Sequence, residues 1–142
     1  MSAVRLVAVF AENKPGQTAR TTAILAQTNL SIRWVTIATS GPFGVMKFLV
    51  SDPDLAFQAF RHHGYVASLI EVLVVEVPDR PGALQAAAEC LAQHGLNLDN
   101  TSGFVANRRA ILIMELPDPG RARILLEAVG LRVLSQEEML SL

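Results

Sequence analysis

Short runs of branched apolar residues alternate with segments of helical period along the chain, and the alternation occurs twice. Residues 4–10 and 72–77 have the composition of strands. Each is followed by a break, Lys14-Pro15-Gly16 or Arg80-Pro81-Gly82, and then by a helical pattern. Proline suits a helix start because its missing N–H has no intrahelical partner there. In the second segment Leu84, Ala87, Ala88 and Leu91 follow the i, i+3, i+4, i+7 spacing of one buried face. The first has Thr18, Thr21, Thr22 and Leu25 at the matching places, a more polar face that fits a helix turned differently or partly facing a ligand. Both helices are expected to stop near Asn29 and Gly95, residues suited to the left-handed cap conformation. Residues 32–39 and 98–106 read as strands, Gly41-Pro42-Phe43-Gly44 and Asn107-Arg108-Arg109 as hairpin turns, and 45–50 and 110–116 as the returning strands. Asp52-Pro53 and Asp118-Pro119 then open a second helix. Its expected buried face is Ala56, Ala59, Phe60 and His63, or Ala122, Leu125, Leu126 and Val129, and it ends at Gly64 or Gly130. Strands at 65–70 and 131–134 close the two halves.

The halves match residue for residue as well as in pattern. At an offset of 66 and without a gap, Pro15-Gly16 falls on Pro81-Gly82, Leu25-Ala26-Gln27 on Leu91-Ala92-Gln93, Asp52-Pro53 on Asp118-Pro119, and Gly64 on Gly130. Glycine and proline at matching distances from apolar runs point to duplication of one unit, with domains at 1–70 and 71–142. The element order β-α-β-β-α-β is that of the ferredoxin-like unit. The expected fold is therefore α+β: two ferredoxin-like βαββαβ modules packed together, each an antiparallel sheet with its helices on one face. Val45, Leu49, Ile111 and Ile113 make several strands apolar on both sides, as expected when the second face is also covered. Self-association into a homodimer or larger homo-oligomer follows as an expectation.

Composition narrows the function. Of the 142 residues 51% are hydrophobic and 18% charged, which places the chain among globular proteins. A net charge of −1 leaves no bulk basic field for a phosphate backbone or an anionic membrane. No apolar stretch approaches the ~18–20 residues that cross a bilayer. The first ten residues carry Arg5 inside their apolar run and lack a secretory pattern, so the sequence reads as mature from residue 1 and a cytoplasmic location is expected. The single Cys90 excludes an internal disulfide and a thiol metal cage; its small apolar neighbours mark a packed thiol.

Candidate chemistry is sparse. The loop Ala11 to Gly16 offers no soft metal ligand, and Trp34, Phe48 and Phe104 lack the basic-aromatic signature of base-stacking modules. His62, His63 and His94 all fall at helix C-termini, where a protonated ring suits the helix dipole, and no nucleophile–base arrangement emerges. Arg108 and Arg109 at a hairpin tip read as an anion contact or as solvated charges. What remains is the loop from strand to helix, present in both copies. Gly16 or Gly82 admits close approach to the backbone, and the next amides present unpaired N–H groups backed by the positive helix end. Asn13 or Asp79 supplies a side-chain acceptor just before, so the loop has complementary ends for a free α-amino acid; alternatively Pro-Gly merely turns the chain into a helix.

Residues 10–16 with 26–32, and 77–84 with 91–98, resemble the opening of ACT domains, small regulatory modules that bind amino acids in biosynthetic enzymes. The likeness spans the chain, in the form of a stand-alone tandem ACT protein without a catalytic domain. The resemblance implies a ligand held where two modules meet, by the loop of one and the start of the second strand of the other. By position, the loop residues are Asn13, Lys14, Pro15, Gly16 and Gln17 in the first copy and Asp79, Arg80, Gly82, Ala83 and Leu84 in the second. The strand-start residues are Ser31 and Asn97. Asn13, Gly16 and Asn97 then make one complete site, and Asp79, Gly82 and Ser31 a divergent one, because Asp79 repels a nearby carboxylate. Gln17, Thr18, Thr21 and Met46 are pocket neighbours or ordinary packing. The expectation is an amino-acid-binding regulatory protein with unequal sites, no metal, no cofactor and no catalysis of its own, acting on its own assembly or on an enzyme of amino-acid metabolism. The alternative is a regulatory subunit resembling the small subunit of acetolactate synthase, working through protein contacts.

Overall fold

The computed structural model describes residues 3–142; Met1 and Ser2, where the mature chain was expected to begin, lie outside them. The chain divides into two compact units, Arg5–Ile70 and Glu71–Leu142, with Val4 grouping with the latter.

In the first unit the elements are β1 (Val4–Glu12), α1 (Gln17–Gln27), β2 (Ile32–Ser40), β3 (Phe43–Val50), α2 (Pro53–His62) and the first part of β4 (Val66–Val77). The strands lie in the order β2-β3-β1-β4. β3 pairs antiparallel with both β1 and β2, so Met46 stands opposite Val9 on one side and Ile37 on the other. Alternation along each strand sends Val7, Val9 and Ala11, with Met46, Phe48 and Val50, to one face. There they meet Ile24 and Leu25 of α1 and Ala56 and Phe60 of α2. The rings of Phe48 and Phe60 stack at 5.9 Å, and Tyr65 meets Phe60 edge-on at 6.3 Å.

The second unit repeats the plan with the rest of β4, α3 (Ala83–Gln93), β5 (Asn100–Ala106), β6 (Arg109–Glu115), α4 (Pro119–Ala128) and β7 (Arg132–Leu134). β4 pairs with β6 and β7, and β6 with β5, all antiparallel. Leu73, Val75, Leu112, Met114 and Val133 pack against Ala87, Cys90, Leu91, Ala122 and Leu126. On the opposite face Val72, Val74, Ile111, Ile113 and Leu134 are buried too. A short helix α5 (Gln136–Leu140) follows β7 at once and buries Met139. No such helix was expected, although its signature, Ser135 three residues before Glu138, is legible: the Ser135 side chain accepts from the Glu138 amide and the Glu138 carboxylate from the Ser135 amide.

Three expectations are corrected. Strands at 65–70 and 72–77 are one strand, because no glycine, proline, asparagine or aspartate interrupts residues 66–77. The first helices present a different face to the core: Gln17, Thr21, Ile24 and Leu25 in α1 are buried, and their counterparts in α3 are Ala83, half-buried, and Ala87, Cys90 and Leu91, buried. Leu84 is therefore half-exposed, and Thr18 and Thr22 leave the core face. His63 and Val129 are exposed rather than buried, since both follow the last helical residue and sit where the chain leaves the helix for the next strand.

Asp52 and Asp118 cap α2 and α4, each accepting from the backbone amide three residues on at 3.1 Å, with proline next in sequence. Asp52→Ala and Asp118→Ala are each expected to cost about 1 kcal/mol in urea denaturation; no loss in either would contradict the capping assignment.

Candidate functional site

α1 and α3 start differently from the three capped helices. Their N-cap residues are Gly16 and Gly82, at φ 94° and 88°, and neither start has a side-chain cap. A side chain at such a φ is strained even though open space surrounds both positions. The amides of Gln17 and Ala83 fold back onto the carbonyls of Lys14 and Arg80. Those of Thr18 and Ala19, and of Leu84 and Gln85, take no acceptor from the described residues. Each first turn thus presents two free donors at the positive end of a helix.

The loops ahead of these turns differ. Asn13 donates its backbone N–H to Pro42 at 2.8 Å and its side-chain amide to Gly41 at 3.1 Å, tying the loop to the β2–β3 hairpin. Asp79 has no side-chain N–H and cannot reproduce the second bond. Lys14 pairs with Glu12 at 3.4 Å across the same turn.

Beside each first turn lies an open cavity, in the same place in both units. The first unit's cavity, about 420 Å³, is bounded by Gln17 and Arg20 of α1, the His63-Gly64-Tyr65 turn between α2 and β4, and Phe10, Glu12 and Phe43 at the sheet end. The second unit's, about 650 Å³, is bounded by Gly82, Ala83 and Ala86 and by Val129, Gly130 and Leu131. Ala83, Ala86, Val129, Gly130 and Leu131 stand at the 66-residue offset from Gln17, Arg20, His63, Gly64 and Tyr65. Arg80, Glu89, Cys90 and Gln93 also line the second cavity, and the Cys90 thiol donates to the Leu125 carbonyl at 3.7 Å. A smaller hollow of about 340 Å³ adjoins it, lined by Asp79 among charged residues that include Arg108, Arg132 and the Arg109–Glu76 ion pair.

Of the residues expected to bind ligand, Gln17 lines the first cavity, while Asn13 serves the hairpin and Ser31 is exposed at the start of β2. In the second unit Arg80, Gly82 and Ala83 line the large cavity and Asp79 the small one. Leu84 and Asn97 line neither, and the Asn97 side chain donates to Asp99 at 3.3 Å. Thr21 turns inward, its hydroxyl against Met46 Sδ at 3.2 Å and the Thr18 carbonyl at 3.1 Å. Among the first cavity's lining residues that sequence reasoning missed are Phe10, Glu12, Arg20, Phe43, His63 and Tyr65; a comparison of the copies singles out Arg20 and His63, which replace Ala86 and Val129. Two of the histidines cap helices: Nδ1 of His63 and of His94 donates to the carbonyl four residues back, at 2.8 and 2.9 Å. Among the described residues no group of three His, Cys, Asp or Glu side chains is placed to hold a metal, and no helix is long and apolar enough to cross a membrane.

The family model for the ACT domain pair matches residues 1–142. The chain belongs to the ACT domain pair family. No curated protein matches it in sequence. Among solved structures, a protein from Bacteroides thetaiotaomicron superposes with a TM-score of 0.91 at 24% identity, covering 99% of this chain and 97% of that one. The ligand-free regulatory subunit of aspartate kinase from Thermus thermophilus gives 0.63 at 18% identity, covering 91% of each chain. Aspartokinase III of E. coli, in complex with lysine and aspartate, gives 0.54 at 14% identity over 92% of this ACT pair and 32% of the longer enzyme. At these identities the likeness is one of fold.

Proposed function

We propose that this ACT domain pair is an amino-acid-responsive regulatory protein, with one module at residues 1–70 and one at 71–142, that acts by binding and not by chemistry. The observation that carries the reading is the pair of glycine-started helices with free first-turn amides beside a cavity, in a chain whose other helices are all capped by side chains. Free amides at a helix start suit a small carboxylate, and loss of the Asn13 amide at Asp79 makes the two copies unequal hosts. The regulatory subunit of aspartate kinase with the same fold supports an enzyme of amino-acid metabolism as the partner. Ile32, Val35 and Ile37 stand exposed on the outermost strand β2, which supports self-association as a homodimer. Binding energy then biases assembly or partner engagement.

Isothermal titration calorimetry of the full chain against each of the twenty amino acids tests the reading. Saturable binding of at least one is expected; silence across the panel would leave only a role in protein contacts.

A further inference from the structure

In the first unit the cavity wall carries Gln17, Arg20, His63 and Tyr65; at the four matching positions of the second unit stand Ala83, Ala86, Val129 and Leu131. One fold thus tolerates small or apolar residues at all four places, so packing does not require the polar set. Gln17 is the informative member. It is only 7% exposed, and glutamine is rarely buried unless its amide is satisfied. Its Oε1 accepts from the Tyr65 hydroxyl at 3.1 Å, whereas its Nε2 has no acceptor among the described residues. Nor is that nitrogen sealed away: the sealed, unpartnered side-chain polar atom is Thr101 Oγ1, elsewhere. Gln17 lines the cavity, which is therefore where an acceptor can meet the free amide donor. Tyr65 is held in turn by its edge-on contact with Phe60, so the amide is oriented before anything binds.

We infer that this cavity, within the first unit alone, is a binding site for a free α-amino acid with an apolar side chain. The inference deepens the proposed function and rests on it. The α-carboxylate takes Gln17 Nε2 and the guanidinium of Arg20, which makes no ion pair among the described residues. Glu12, which also lines the cavity and pairs with Lys14 at 3.4 Å, takes the ammonium. With the zwitterion satisfied, the remaining wall is largely Phe10, Phe43, Ala11 and Val66. Phe10 and Phe43 are 50% and 63% exposed, an apolar surface at the cavity mouth that a hydrocarbon side chain covers. A volume of about 420 Å³ suits a ligand of this size. Asn13 and Gly16 shape the loop without contacting the ligand.

The test titrates the full chain by calorimetry with valine, leucine, isoleucine, methionine and phenylalanine, with aspartate, glutamate and lysine for comparison, and with the amide of whichever amino acid binds. Gln17→Ala and Arg20→Ala introduce the residues found at the matching positions of the second copy, so both variants should fold, as circular dichroism checks. An apolar amino acid is expected to bind, each substitution to weaken it at least about tenfold through loss of a hydrogen bond to a charged group, and the amide to bind far more weakly. Amino-acid binding unchanged in both variants would overturn this site while leaving the regulatory reading in place. Preference for a charged amino acid, or equal binding of the amide, would overturn the ligand class. No binding by the unmodified chain would overturn both.

Discussion

Phe60→Ala is expected to destabilise the chain by about 3–5 kcal/mol, a large share of the roughly 5–15 kcal/mol that holds a typical domain together. Phe60 is fully buried, and its ring lies between Phe48 at 5.9 Å and Tyr65 at 6.3 Å. Truncation removes apolar burial, leaves a cavity that the sheet cannot collapse to fill, and forfeits two aromatic contacts. It also frees the Tyr65 ring that orients Gln17, so amino-acid binding weakens along with stability. Urea denaturation measures the first effect and calorimetry the second. A loss below about 1 kcal/mol would contradict the packing described for this unit.

Leu126→Ala, at the matching position of the second copy, is expected to cost about 2–5 kcal/mol. Leu126 is fully buried in the core with Met114, and Leu131 packs partly buried against the same cluster. Those two stand where the first copy has Phe48 and Tyr65. The second core is thus aliphatic where the first is aromatic, with no hydroxyl at its edge to orient a polar partner. The substitution acts on stability alone, read as a fall in the urea midpoint; a midpoint unchanged from the parent chain would contradict the burial of Leu126.

The repeat made most of the fold legible. Asp-Pro pairs mark two helix starts and cap them, Pro-Gly pairs mark two more, and Leu49, Ile111 and Ile113, read as belonging to a covered second sheet face, are buried. What failed did so where local pattern was ambiguous. α1 contains Thr18, Thr21 and Thr22 close together, so more than one helical face looked equally apolar; the sheet selects the one through Gln17, a residue that reads as surface. Its burial depends on Tyr65, 48 positions away, which no local window joins to it. His63 and Val129 continue an apolar face by spacing but lie beyond the last helical turn, where they border the cavities. The loop residues were recognisable as a motif, but Asn13 spends its amide on Gly41, a contact set by the hairpin and invisible before the fold is known.

The stoichiometry of the calorimetric titration tests the central claim most directly. A polar, preorganised wall exists in one copy and not in the other, so one strong site per chain is predicted, abolished or weakened by Gln17→Ala. Two equal sites per chain, or none with any amino acid, would contradict it.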